Sequence, residues 1–421
     1  MFHLILTGAV YHSKKPPAFC RIEDKDAAQM TYDENRFILS LFFTKGVSSA
    51  FLRQLLESTA RTGETIVRGI GELAGFCSSP SELLAVKLAQ SPGKEVCSRL
   101  DQTFQWLQEP NNNIVFASDL VYPALLREIS DYPPVLFVKG NVDILRRPML
   151  AIVGSRSCSA YGRSVAYKLS AALADKGFVI CSGLASGIDT QAHLAALDSK
   201  GTTVAVLGNG LHSVYPGSNQ SLANRIVSSG VPEAGAIISE LPLDAGPVAQ
   251  HFPQRNRIIS GLSLGVCVVE ANMRSGSLIT ARLALEQNRE IFSVPGSINS
   301  PGSRGCHKLL RQGAILTENA QDIFEHIQFI CQAQLTMCYP QFQMVSTEHN
   351  ASKDVAIHNS NFPAGCDLLY RELCEDGISI ETLMLRTGQD VGFISEKLLL
   401  MEVNGFVAHS GGLWRRIQPN E

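Results

Sequence analysis

Four stretches of this sequence gather small residues, hydroxyls and arginines where a strand should end, a combination suited to gripping anions. The first is Gly154-Ser155-Arg156 and the second runs from Ser182 through Gly183, Ser186 and Gly187 to Asp189. The third is Phe252-Pro253-Gln254-Arg255-Asn256-Arg257. The fourth runs from Glu270 to Thr280 and holds Arg274, Ser275, Gly276 and Ser277. Small residues free backbone N–H groups, a helix N-terminus adds a partial positive charge, and arginine supplies a full one; together they favour phosphate. One such stretch is weak evidence, whereas several at successive strand ends make a groove.

The elements that must hold these stretches follow from apolar periodicity. Leu150 to Val153 is a short apolar run, and Val165, Leu169, Ala172 and Leu173 then share one helix face. Gly177 stops that helix, and Phe178 to Cys181 begins a second apolar run. This is a βαβ unit, which crosses over right-handed and builds a parallel sheet. Further strands are expected near 203–207, 236–239, 266–270, 291–294 and 314–316, with helices over 187–197, 219–228 and 277–287 between them. Runs such as Val204-Ala205-Val206-Leu207 are apolar throughout, as a sheet buried on both faces requires. Ile114 to Phe116 and Val135 to Val138 read as short strands that extend this sheet. The fold class is therefore α/β, an extended Rossmann-like doubly wound parallel sheet.

Domain limits follow from the changes in pattern. Residues 1–32 read as a tail. Residues 33–108 read as a bundle of short helices, of the kind seen in SAM or helix-hairpin-helix modules, and the sheet domain spans 110–330. Residues 331–362 are polar and aperiodic, hence a linker. Over 363–421, three helical segments precede two short strands around Gly411-Gly412, the pattern of a winged helix.

Composition sets limits on function. The 421 residues are 45% hydrophobic and 18% charged with a net charge of −3. Such a chain is globular and carries no bulk basic field, so any nucleic acid must be held by a local patch or by backbone N–H groups. The 11 cysteines form no CxxC pair and the 10 histidines no zinc-ligand spacing. Reduced thiols in the cytoplasm, and no metal, are the expectation. No apolar run reaches the ~18 residues of a membrane span, and the first ten residues lack the basic flank of a signal peptide.

Several residues have two readings. Arg156 can be an anion contact or a surface ion pair. Arg255 and Arg257 can hold phosphates or pair with carboxylates such as Glu240 and Glu270. Asp189 is placed to orient a loop and His193 to pack with a hydrogen bond. Phe252 can sit in the core or offer a platform for a base. A dinucleotide is disfavoured: G-S-R stands where G-x-G-x-x-G is needed, and Ser182 stands where an acid would hold a ribose. No P-loop occurs, and no nucleophile–base pair at fixed spacing.

From about Ile114 to Phe324 the chain resembles the DNA-processing protein A (DprA/Smf) family. The matching pieces are AIVGSR at 151–156, SGLASGIDTQAH at 182–193, VYP at 214–216 with Asn219, and SELP at 239–242. FPQRNRIISGLS at 252–263, SGSLITA at 275–281, VPG at 294–296 and GCHKLLRQGA at 305–314 complete them. The resemblance implies a cytoplasmic, homodimeric protein, dimeric through its Rossmann-like domain, that binds single-stranded DNA during natural transformation. It also implies that the protein protects the incoming strand and loads RecA recombinase on it, with no catalysis and no cofactor. In that frame Arg156, Arg255, Arg257, Ser275 to Ser277 and Lys308 hold phosphates, and Phe252 meets a base or shapes the groove. The family commonly has Arg where Ser186 stands and a basic residue beside Asn219, where Gln220 and Ser221 follow here. Two phosphate contacts are thus expected to be missing. In the C-terminal module Lys397 is outnumbered by Asp390, Glu396 and Glu402, and Arg415-Arg416 is the one basic pair. That suits protein docking or dimer support better than a DNA groove. The alternative is a phosphate-binding enzyme on the same scaffold, a nucleotide phosphoribohydrolase. It needs a P-G-G-x-G-T-x-x-E stretch, which V-P-G-S-I-N at 294–299 does not supply.

Overall fold

A computed structural model describes residues 32–62, 73–228, 235–330, 365–373, 378–404, 406–410 and 413–416. The expected linker 331–362, the tail up to residue 31 and the Gly411-Gly412 turn lie outside the described residues. Contacts divide the chain into two compact units, Met1–Ser346 and Thr347–Glu421.

The first unit is built on a nine-stranded sheet. Its strands are β1 Asn112–Phe116, β2 Val135–Gly140, β3 Met149–Val153, β4 Val179–Ser182 and β5 Thr203–Val206, then β6 Ala236–Ser239, β7 Ser263–Val268, β8 Glu290–Ser293 and β9 Ile315–Leu316. They lie in the order β1-β2-β6-β5-β4-β3-β7-β8-β9. The seven from β6 to β9 are parallel neighbours, and β2 and β1 extend them antiparallel. The strands expected at 114–116 and 135–138 do extend the main sheet.

Side chains alternate across a strand, and here the alternation sorts the core into two layers. Met149, Ala151 and Val153 of β3 join one apolar cluster, while Leu150 and Ile152 join the other. The second cluster is closed by helix Ala160–Asp175 through Ala166, Leu169 and Leu173, and by helix Ile188–Asp198 through Ile188, Ala192 and Ala196. Opposite them, helix His251–Leu262 contributes Ile258, Ile259 and Leu262, and helix Ser277–Glu286 contributes Ala281 and Ala284. Each fully buried Leu or Ile contributes about 1.5–3 kcal/mol, so helices on both faces are what makes so apolar a sheet stable. The molecule is an α/β fold with helices on both faces of a mostly parallel sheet.

Four N-terminal helices, Tyr32–Phe43, Ser49–Thr62, Pro80–Gln90 and Lys94–Trp106, share the first apolar cluster with the sheet. The rings of Phe42 and Trp106 pack against Phe137 of β2, with centroids 5.9 and 6.3 Å away. The second unit has its own core of Cys366, Leu369, Leu373, Leu383, Ile394, Leu398, Met401, Phe406 and Trp414. Helices Asp367–Glu372, Ile380–Thr387 and Val391–Val403 enclose it with an antiparallel pair, β10 Val407–Ser410 and β11 Leu413–Arg416.

Candidate nucleic-acid interface

The strand order reverses at β3, which has β4 on one side and β7 on the other. The carboxyl ends of β3 and β7 therefore flank the switch point where open α/β sheets take their ligands. Gly154-Ser155-Arg156 leaves β3 there, and Glu270 follows β7. These two loops are joined by the Ser155 N–H, which donates to the Glu270 carbonyl at 2.7 Å.

Arg156 is exposed, and its guanidinium carbon stands 5.8 Å from the centroid of the Phe252 ring. Phe252 is half-buried against Gly208, beyond the end of β5, and Tyr215 packs beside it with centroids 5.5 Å apart. Tyr215 itself is 45% exposed. A cation and two rings on one ledge can take a phosphate and the face of a base together. The sequence reading passed over Tyr215, although it lies in the quoted V-Y-P.

Arg255 plays a different part from the one expected. Residues 252–257 form the first half of helix His251–Leu262, not a loop; Pro253 sits in its first turn, where no N–H is needed. That places Arg255 facing inward. Its guanidinium is buried, donates to the carbonyls of Gly183 and Val206, and lies against Gly183, where a Cβ would come within 2.5 Å of it. Burial lowers its pKa to about 10, opposed by the charge of Asp189. Asp189 accepts the N–H groups of Gly183 at 3.1 Å and Ala185 at 3.4 Å. Its pKa is raised by burial, with Arg255 opposing. The pair fixes the 182–189 loop from beneath. Arg257 is likewise engaged, 3.0 Å from Asp131 and 2.5 Å from Glu240. Of the two readings open to Arg257, the structure shows the pairing with carboxylates, whereas Arg255 bonds to backbone carbonyls.

The remaining expected residues fall into two groups. Ser182 is buried and donates to the Ile152 carbonyl at 2.7 Å. Asn219 is buried and donates to the Leu184 carbonyl at 2.9 Å and to Thr190 Oγ1 at 3.0 Å. Ser277 and Thr280 are buried too, with Ser277 Oγ 2.6 Å from Ser275 Oγ. The side chains of Ser182, Asn219, Ser277 and Thr280 are thus buried beneath the rim. Asn256 is half-buried, its Oδ1 accepting from Arg255 Nε at 3.3 Å. Ser186, Gly276 and Lys308 are exposed, and Ser155, Gly187 and Ser275 are partly so. Gly187 has φ +83°, and a Cβ there would overlap the Ser155 carbonyl and lie 2.6 Å from that of Arg156. It braces the first loop against the second.

Two further exposed cations stand at strand ends, Arg274 after β7, within the fourth anion-gripping stretch, and Arg304 after β8, outside all four. Helix Arg304–Arg311 is seated on the β7 loop by the Gly305 N–H, which donates to the Ala271 carbonyl at 2.8 Å. Arg304 and Lys308 lie one turn apart on it, an i,i+4 spacing that could have signalled a shared face. His193 is fully buried, with Nδ1 2.6 Å from Thr203 Oγ1. That hydroxyl donates to the Ile180 carbonyl, so it accepts from His193 Nδ1–H. Burial and the charge of Arg255 lower the His193 pKa to about 3, which leaves it a neutral packing residue.

A family model described as DNA recombination-mediator protein A matches residues 113–328, about half of the chain and nearly all of the sheet. This chain belongs to the DNA recombination-mediator protein A family. Among its DprA/Smf relatives, Protein Smf of Escherichia coli (strain K12) is 41% identical over 378 residues, which cover 87% of this chain and 95% of that one. DNA processing protein DprA of Streptococcus pneumoniae is 46% identical over 211 residues, covering 50% of this chain and 73% of its own. An X-ray structure of DprA from Streptococcus pneumoniae superposes with a TM-score of 0.60 at 36% identity, over 70% of this chain and 98% of that one. The Rossmann-like sheet is thus a family property, and the strand-end motifs 151–156, 182–193, 252–263 and 275–281 all lie within the matched span. No described helix is long and apolar enough to cross a membrane, and no described cluster of His, Cys, Asp and Glu could hold a metal ion. The described cysteines, Cys181 and Cys267 included, are free thiols.

Proposed function

We propose that this DprA-family protein binds single-stranded DNA along the carboxyl rim of its sheet. In that reading it shelters the strand and delivers it to a RecA-type recombinase during DNA uptake in the cytoplasm, without chemistry of its own. The observation that carries the reading is the exposed Arg156 over Phe252 and Tyr215, continued along the rim by the exposed Arg274, Arg304 and Lys308. A row of cations beside aromatic faces fits a string of phosphates with unstacked bases better than one small ligand. The names of the relatives, DNA processing proteins, support the same class. Backbone N–H groups at Gly187 and Gly276 and the hydroxyls of Ser155, Ser186 and Ser275 complete the proposed contacts.

The modular division 33–108, 110–330 and 363–421, pairing of two copies through the sheet domain, and a protein-docking winged helix belong to the same proposal. The test is fluorescence anisotropy with labelled oligonucleotides over a salt series. Single strands of any sequence should bind far better than duplex, and Arg156→Ala should weaken every sequence about 10- to 100-fold. Unchanged affinity in that variant would remove the rim from consideration.

A further inference from the structure

Glu270 occupies the place where a Rossmann-like sheet offers its best anion site. Helix Ala160–Asp175 starts directly after the β3 loop, and its N-terminus faces the switch point. The Glu270 carboxylate is set on that N-terminus through its cap residue, Ser159, whose hydroxyl accepts from the Gly162 N–H at 3.0 Å. The carboxylate accepts from Ser159 Oγ at 2.6 Å and from the Ser159 N–H at 3.1 and 3.2 Å to its two oxygens. Two missing side chains make the approach possible. A Cβ at Gly162, in the first turn of the helix, would overlap Glu270 Oε2, and one at Gly302 would lie 2.7 Å from Oε1. Glycine costs about 1 kcal/mol against alanine inside a helix, so its presence at 162 has its physical reason in the carboxylate above it. The backbone of the same residue ties the neighbouring loops, since its carbonyl accepts from Ser155 N–H and the next residue's N–H donates to the Gly302 carbonyl.

We propose that Glu270 is a specificity-determining residue. Its carboxylate stands in for a bound phosphate at the switch point, so free phosphate and mononucleotides are refused there and DNA phosphates are confined to the outer rim. Negative charge at a helix N-terminus is favourable whether it comes from a ligand or from the chain, but it cannot come from both. Repulsion between the fixed carboxylate and an incoming dianion adds to the steric exclusion. The same device explains why a sheet of this class, with a helix at its switch point, should present an elongated binding edge instead of a nucleotide pocket. The inference rests on the DNA-binding reading for its purpose, though the exclusion itself is independent of it.

The experiment compares the full chain with Glu270→Gln and Glu270→Ala, using inorganic phosphate as the probe. Thermal unfolding is followed in sodium phosphate and in sodium chloride at equal ionic strength, together with 31P line broadening. Both variants should be less stable than the parent in chloride. Each should recover on adding phosphate, saturably and beyond the general salting effect seen in the parent, with Glu270→Ala gaining more. If a variant does not fold in chloride, its refolding yield in phosphate is the readout, and recovery supports the proposal. Variants that lose stability and gain nothing from phosphate would reduce Glu270 to a loop tie and overturn it. Oligonucleotide affinity is read in parallel. Phosphate rescue without DNA binding by any of the proteins would overturn the DNA-binding reading and leave the exclusion intact.

Discussion

Four arginines near the rim have three different duties, and burial sorts them. Arg156 and Arg274 point to water, Arg257 neutralises two carboxylates, and Arg255 is walled in beneath the loops. In the sequence all four stand in equally polar stretches, so residue type alone could not separate them; the inward turn of Arg255 depends on the helical phase of 251–262. Arg156→Ala should leave the melting temperature nearly unchanged, within about 0.5 kcal/mol, because nothing buried loses a partner. Arg255→Ala should destabilise by about 3–5 kcal/mol, since it strands the Gly183 and Val206 carbonyls and leaves Asp189 without its counter-charge. Calorimetry beside the binding assay separates the two, and a stable Arg255→Ala that merely binds weakly would restore it as a phosphate contact. His193 gives a pH signature. Its folded pKa, about 3, lies below its ordinary 6.5, so the unfolded chain takes up a proton that the folded one refuses. Its contribution is complete above pH 6.5 and is lost as pH falls from there toward 3, by about 1.4 kcal/mol per pH unit well below 6.5. Urea unfolding at pH 6 and pH 4.5 should show a shallower loss for His193→Asn than for the parent. Equal slopes would mean that His193 is not the group titrating.

At the scale of elements, the parallel strands were legible because each is a short apolar run closed by small residues, and the helices between them because their apolar positions recur with helical spacing. The helix over 251–262 was not legible at its start, where Pro253, Gln254, Arg255, Asn256 and Arg257 give no apolar stripe until Ile258. Its inward face is made by a charged residue, a pattern that periodicity arguments cannot read. The loops, by contrast, carry their reason in single glycines. Gly187 holds a φ that other residues adopt only under strain, with the Ser155 and Arg156 carbonyls at its back. Gly187→Ala should cost about 2 kcal/mol or more and push the Ser155-Arg156 segment out of line. Stability and oligonucleotide affinity should therefore fall together in this variant, unlike Arg156→Ala, where affinity falls alone. An alanine variant with parental stability and binding would show that the two loops are not braced through residue 187.

For the molecule as a whole, the net charge of −3 and the pairing of so many arginines leave a short supply of free cations. Four on the rim, Arg156, Arg274, Arg304 and Lys308, are exposed and have no acidic partner among the described residues. The engagement of Arg255 and Arg257 in internal duties was not legible in the sequence, since it depends on how the loops stack. The consequence is quantitative. A single strand releases roughly 0.7 counterions for each phosphate neutralised, so four contacts predict a log–log slope of affinity against salt of about −2 to −3. Arg156→Ala should lower that slope by about 0.7 as well as the affinity itself. A slope steeper than about −5 would require cations beyond the rim. The exposed Arg415 of the C-terminal unit would then be the first to replace, and a slope that drops on Arg415→Ala would move part of the DNA contact from the sheet to that second unit.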